Sequence, residues 1–294
     1  MEINILNTNS NESLLIYQTG YTVEFIKKTI TEKKLNGLRI FTDLMVETPL
    51  NLDFLEKCTF LESLSITSNI DYDLSFLTSL TGIKKLSLQI EGKKEINLSN
   101  QKSLLELSIK WRNKIIGLNS CIGLKKICLI EFKEEDLASI NCLINLRELV
   151  IKTSSIKSLD GIQNLNMLEN IKLGNCKSLE SIQFINNKVA LKNLEFETCS
   201  KIIDFDKLTT LPKLNLLKIT DCKDLQSIKF IEHFNNLNKL IILGNTVIKD
   251  GDLLPAKNIN EVFYKHKKSY NIKIENKSYD KKIRNNLIKI NSIK

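Results

Sequence analysis

The chain has 294 residues, 42% of them hydrophobic and 26% charged, which is enough apolar side chain for a large core. With 3 Pro, 10 Gly and 6% aromatics it lacks the make-up of a disordered, collagen-like or turn-rich β-sandwich chain. The net charge of +9 is unevenly spread: residues 266–294 hold eight Lys and one Arg against Glu275 and Asp280, a local +7, so the other residues carry only +2. A body this near neutral is not the footprint of a nucleic-acid groove, which needs clustered cations on one face.

The opening stretch, MEINILNTNSNES, has no basic region followed by an apolar run, so no signal peptide is expected. No run of 18 apolar residues follows, so no membrane span is expected either. Seven cysteines in an unexported chain are expected to be free thiols in the reducing cytoplasm. Residues 1–34, with SLLIYQTGYTVEFIKKTITEKK, read as an N-terminal cap. From residue 35 to 265 one pattern repeats, L-x-x-L-x-L with Ile or Phe allowed. A weak copy, Leu35/Leu38/Ile40, leads into Leu61/Leu64/Ile66, Ile83/Leu86/Leu88, Leu104/Leu107/Ile109 and Leu124/Ile127/Leu129. Then come Leu146/Leu149/Ile151, Leu168/Ile171/Leu173, Leu191/Leu194/Phe196, Leu214/Leu217/Ile219 and Leu237/Leu240/Ile242, with a last weak copy at Ile259/Val262/Tyr264. The nine good copies start 20–23 residues apart. Beyond them Tyr270, Ile272 and Ile274 alternate like a short strand, and the basic segment 266–294 reads as a C-terminal cap or tail.

The L-x-L core of each copy alternates in and out, as a strand does. The second half of a copy, such as SLDGIQNL, is too short for a long helix and suits 3₁₀ turns. One copy cannot bury its own apolar face, but stacked copies can. The pattern resembles the leucine-rich repeat family, in the short 22-residue bacterial and SDS22-like class. The copy LRELVIKTSSIKSLDGIQNLNM shows it best, with Leu146, Leu149, Ile151, Ile156, Leu159, Ile162 and Leu165 in place. The resemblance implies an α/β solenoid of ten or eleven units: a horseshoe or arc with a parallel sheet on the concave face and 3₁₀ or extended segments on the convex face. Ten or eleven strands at about 4.8 Å give a sheet roughly 50 Å long.

Cys176, Cys199 and Cys222 each stand eight residues after the first Leu of a copy, as do Asn69, Ser154 and Asn245. In leucine-rich repeats that slot bonds neighbouring backbone at the turn after the strand, which implies a structural role. Cys58 and Cys121 take a core slot before the first Leu, Cys142 falls one residue from it, and Cys128 should face out of the concave sheet. There is no C-x-x-C and no histidine in register, so neither a metal nor a cofactor is expected. His233 falls on the convex side and His266 just past the last strand. No phosphate-loop, dinucleotide or H-E-x-x-H motif and no nucleophile–His pairing is present, so the chain reads as non-catalytic.

With the first Leu as position 0, side chains at +2, +4 and +6 should face the concave side. Lys85, Glu106, Lys126 and Glu148 alternate in sign at +2, and Lys172, Glu195 and Lys218 do so at +4. Such ladders should neutralise themselves. Between them Lys110, Trp111, Cys128, Ile130, Val150 and Lys152 form an apolar spot edged by cations, the candidate protein-binding site. A second candidate is Leu216, Ile241, Leu243 and Phe263, which the C-terminal tail should partly cover. The expected partner of this monomer is another protein. The ending NINEVFYKHKKSYNIKIENKSYD resembles intracellular bacterial leucine-rich repeat immunity proteins, through Val262, Lys267, Lys268 and Tyr270, and this implies a toxin domain as partner. An SDS22-like enzyme regulator, an internalin-like surface adhesin, and a nucleic-acid or acidic-membrane binder acting through the tail remain as alternatives.

Overall fold

The computed structural model describes residues 3–8, 12–42 and 50–274. Chain order begins with β1 (Ile5–Asn7), paired antiparallel with β2 (Ser13–Ile16). Helix α1 (Val23–Glu32) follows, started by Thr22, whose hydroxyl accepts the Phe25 amide at 3.1 Å. Its Ile26 and the strand residue Leu15 are fully buried and join the core of the repeats.

The repeats then lay down β3 (Gly37–Thr42), β4 (Ser63–Ser68), β5 (Lys85–Ile90), β6 (Ile96–Asn97), β7 (Glu106–Lys110), β8 (Ile115–Ile116), β9 (Lys126–Phe132) and β10 (Glu148–Ser154). They continue with β11 (Asn170–Gly174), β12 (Asn193–Glu197), β13 (Leu216–Thr220), β14 (Lys239–Leu243) and β15 (Glu261–Tyr264). Among the described residues these build a thirteen-stranded sheet in the order β1-β2-β3-β4-β5-β7-β9 and on to β15, with β6 and β8 paired separately. From β2 onward every pairing in the large sheet is parallel. Between strands the chain returns through one-turn 3₁₀ helices such as Ser75–Ser79, Ile162–Asn164 and Lys229–His233.

The register explains the stack. Leu107, Ile127, Leu149, Ile171, Leu194, Leu217 and Leu240 follow one another across adjacent strands, each at most 2% exposed. Each apolar row thus uses its neighbours to exclude water, and no copy has a core of its own. At the C-terminal ends of β9 to β14 the backbone turns through the left-handed region at Glu131, Thr153, Asn175, Thr198, Asp221 and Gly244, with φ between 51° and 69°.

Two sequence expectations need correction. Asn69 and Asn245 are exposed and do not fill the buried turn slot. Their neighbours do: the Ser68 hydroxyl accepts the Ile70 amide at 2.9 Å, and the Thr246 hydroxyl accepts the Cys222 amide at 2.8 Å. A hydroxyl carries both a donor and acceptors on a short stem, so it fits a buried turn where the longer amide does not. Ser154 does occupy the slot, donating to the Phe132 carbonyl at 2.6 Å. Second, Tyr270, Ile272 and Ile274 form no strand. They pack on the core while the Tyr270 and Tyr264 hydroxyls accept the Ile248 and Ile274 amides and Asn271 accepts the Leu253 amide. This described part of the tail is tied by side chains to the convex-side segment Ile248–Leu253. The rest of the basic tail, 275–294, lies outside the described residues.

Candidate protein-binding face

Strand pleating sends +2, +4 and +6 side chains to one face, and the parallel register lines them up in columns. The +2 column runs Lys85, Glu106, Lys126, Glu148 on β5, β7, β9 and β10. Lys85 reaches Glu106 at 3.1 Å and Lys126 reaches Glu148 at 3.2 Å. In the +4 column Glu195 stands between Lys172 at 3.1 Å and Lys218 at 3.9 Å. The expected charge ladders are therefore present. An ion pair the sequence did not suggest joins them: Glu12, beside β2, holds Lys85 at 2.7 Å and draws the N-terminal segment toward this face.

The central candidate cluster is divided by the structure. Trp111 was expected on the rim; it is only 7% exposed. Its ring lies edge-on to Phe132 with centroids 4.8 Å apart, and its indole N–H donates to Glu134 Oε1 at 2.9 Å. Strand β7 ends at Lys110, so the next side chain turns under the sheet, where a large aromatic gains from burial. Lys110, expected to be unpaired, is clasped by Glu91 and Glu131. Burial works against its charge, but those two carboxylates win and raise its pKa. Val150 is 8% exposed. Half-buried Ile130 remains, with Cys128 beside it in the neighbouring column and exposed Lys152 across from Ile130 on the next strand. Cys128 is not the open thiol the alternation suggested: burial pushes it up, against the smaller pull of Lys152.

The C-terminal candidates do come together. Leu216, Ile241, Leu243 and Phe263 are all half-buried, and Ile241 pairs in register with Phe263. The Lys239 ammonium lies 5.1 Å from the Phe263 ring centre.

The turn cysteines behave as structural thiols. Cys176, Cys199 and Cys222 are buried and donate to the carbonyls of Gly174, Glu197 and Thr220 at 3.6, 3.5 and 3.4 Å. Contact with Cys199 and then burial raise the pKa of Cys176 and Cys222. Among the described residues no cluster of His, Cys, Asp and Glu is set to hold a metal, and no helix is long and apolar enough to cross a membrane.

The residues that sequence reasoning passed over are Arg39, Ser65, Ser87 and Ser108, which continue the +4 column toward the N-terminus. The signal was available: each stands four after the first Leu of its copy. It was obscured because Arg39 belongs to the weak first copy.

The fold has solved counterparts. The internalin InlF of Listeria monocytogenes superposes with a TM-score of 0.59 at 20% identity, over 79% of this chain and 68% of that one. The plant peptide hormone receptor RGFR1, solved in complex with RGF2, gives 0.51 at 14% identity, over 90% of this chain and 48% of that one. The leucine-rich repeat domain of the type III effector XopL gives 0.49 at 19% identity, over 82% of this chain and 80% of that one. No protein-family model and no curated protein matches the chain.

Proposed function

We propose that this leucine-rich repeat protein is a non-catalytic recognition scaffold whose concave sheet binds another protein. The observation that supports this most is the division of labour on that sheet. Its charges are largely paired with one another, while Ile130, Leu216, Ile241 and Leu243 stay partly exposed between them. Paired charges offer a partner orientation and little affinity, whereas apolar side chains ringed by ions gain from being covered. Our finer reading is a cytoplasmic immunity protein that acts as a monomer to neutralise a cognate toxin domain. It rests on the resemblance of the segment around Val262, Lys267, Lys268 and Tyr270 to the close of such proteins.

The test is co-expression with the product of the neighbouring gene, comparing wild type with Ile130→Asp, Lys152→Glu and Ile241→Asp. Complex formation lost in one of these folded variants locates the site at the centre or toward the C-terminus. A neighbouring product that neither binds nor harms cells sinks the toxin reading. Full binding by all three variants removes the concave apolar residues as the site.

A further inference from the structure

Two arginines of the described chain lie against the sheet, Arg112 buried and Arg39 half-buried, and they are treated differently. Arg112 faces Asp71 at 3.4 Å and donates to the Ile90 and Lys94 carbonyls at 2.7 and 2.9 Å. Arg39, at the start of the +4 column, has no carboxylate partner among the described residues. Its guanidinium donates to the hydroxyls of Ser65 and, at 2.9 Å, Thr67, and its Nε is buried without an acceptor. Burial alone shifts its pKa, downward. Arg39 also lies over the Phe41 ring, 4.3 Å from its centre, so its partners are hydroxyls and an aromatic face, and none of them carries the negative charge that would balance it.

The surroundings form a receptacle. Arg39, Ser65, Ser87, Ser108 and Cys128 stand on five adjacent strands, so their column spans about 19 Å at the usual strand spacing. The three serines are short, and the charge ladder beside them is tall, which leaves a trough across the sheet. A cavity of about 220 Å³ occupies it, with Thr8 and Glu12 of the N-terminal segment contributing a wall. The other two cations lining that cavity are matched: Lys85 by Glu12 and Glu106, and Lys126 by Glu148. The Ser87 hydroxyl has no hydrogen-bond partner within the described chain and lies on the floor.

We infer that this trough receives an extended segment of the protein partner and that Arg39 binds an Asp or Glu side chain of that segment. The inference rests on the recognition reading above and deepens it. Charge complementarity selects the ligand: one cation without a counter-ion calls for one carboxylate, and a guanidinium offers a planar fork that matches it. The short serine side chains of the floor leave depth for the main chain of an extended segment.

The experiment uses the full chain and random twelve-residue peptides displayed on phage through their C-termini, so that only side chains can provide a carboxylate. Enriched peptides are then synthesised with amidated ends and titrated by fluorescence anisotropy. The expected peptides carry Asp or Glu. Changing that residue to its amide, or Arg39→Gln in the protein, weakens binding at least tenfold, and the two changes together cost little more than either alone. Ser87→Leu, which fills the floor, also abolishes binding, while Lys201→Ala, at an exposed turn residue far from the trough, leaves it unchanged. Circular dichroism establishes folding of each variant, and if Arg39→Gln unfolds, Ser87→Leu and the amide peptides carry the test. Acid-free winners, equal binding by folded Arg39→Gln, or no enrichment overturns the assignment. The co-expression experiment stands apart from these outcomes, so the scaffold reading can survive the loss of this site.

Discussion

Thiol reactivity follows exposure and the ease of forming the thiolate, and the seven cysteines differ sharply in both. Cys142 is the exposed one, Cys128 is half-buried, and the others are buried. Burial pushes Cys58 and Cys121 up to about 11, and the three turn thiols are engaged with carbonyls and with one another. In native protein, iodoacetamide should therefore label Cys142 within minutes, Cys128 far more slowly, and Cys176, Cys199 and Cys222 only on unfolding. Mass spectrometry of timed samples reads this out, and early labelling of the turn trio would contradict the buried ladder. The left-handed turn at the ends of β9 to β14 yields a second residue-scale prediction. Thr198 sits there at φ 56°, where a β-branched side chain is strained, while Asn175 and Asp221 hold the same place in the adjoining copies. Thr198→Asn should gain about 0.5–1 kcal/mol, measured by urea unfolding, because asparagine tolerates this region. Periodicity gave the column of nearly every side chain, but not the direction of a residue just past a strand. That is why Trp111, one step beyond Lys110, was expected outside and lies inside.

Elements between the strands were less legible, because only their length is visible in the spacing of the repeats. The segment following β5 shows this. Asp71, Gly92 and Arg112 tie three copies together beside the small β6–β8 pair. Gly92 has φ 119°, and a Cβ there would fall 1.9 Å from the Asp71 side chain, so the glycine is required by the approach of the carboxylate. Burial tends to raise the Asp71 pKa, but the amides of Lys93 and Lys94 and the charge of Arg112 outweigh it and hold it below the usual range. A carboxylate depressed in the folded state stabilises it fully above the unfolded pKa, about 3.9, and loses that contribution as pH falls through the folded value. Asp71→Asn should thus be about 1 kcal/mol less stable than wild type at pH 7. The gap should narrow below pH 4, as wild type also loses the charge. Urea unfolding at the two pH values decides it: a gap that persists undiminished in acid would mean the carboxylate's charge contributes nothing there.

At the scale of the whole molecule, sequence alone was enough for the architecture, because a stacked array repeats its instruction in every copy. A single weak copy is outvoted by its neighbours, whereas Arg39 had no repetition to announce it. The same arrangement makes stability collective: each copy is held by the two beside it, and damage in the middle removes support from both directions. Leu149 is fully buried on β10, in register between Ile127 and Ile171. Aspartate there must either leave an unpaired charge among apolar side chains or force the strands apart, and Leu149→Asp should cost more than about 4 kcal/mol. Glu148, the residue before it, points out of the same strand and holds Lys126 at 3.2 Å on the concave surface. Its replacement by alanine removes one partly solvated ion pair, worth less than about 1 kcal/mol. Two adjacent positions in one strand should therefore differ severalfold in cost, measured by thermal and urea unfolding followed by circular dichroism. Because the array is cooperative, Leu149→Asp should also raise hydrogen exchange in strands on both sides of β10, from β9 to β11 and beyond. Similar costs for the two variants would mean that the inward and outward assignments of the strand are wrong. A loss of protection confined to β10 would mean that the copies fold independently of one another.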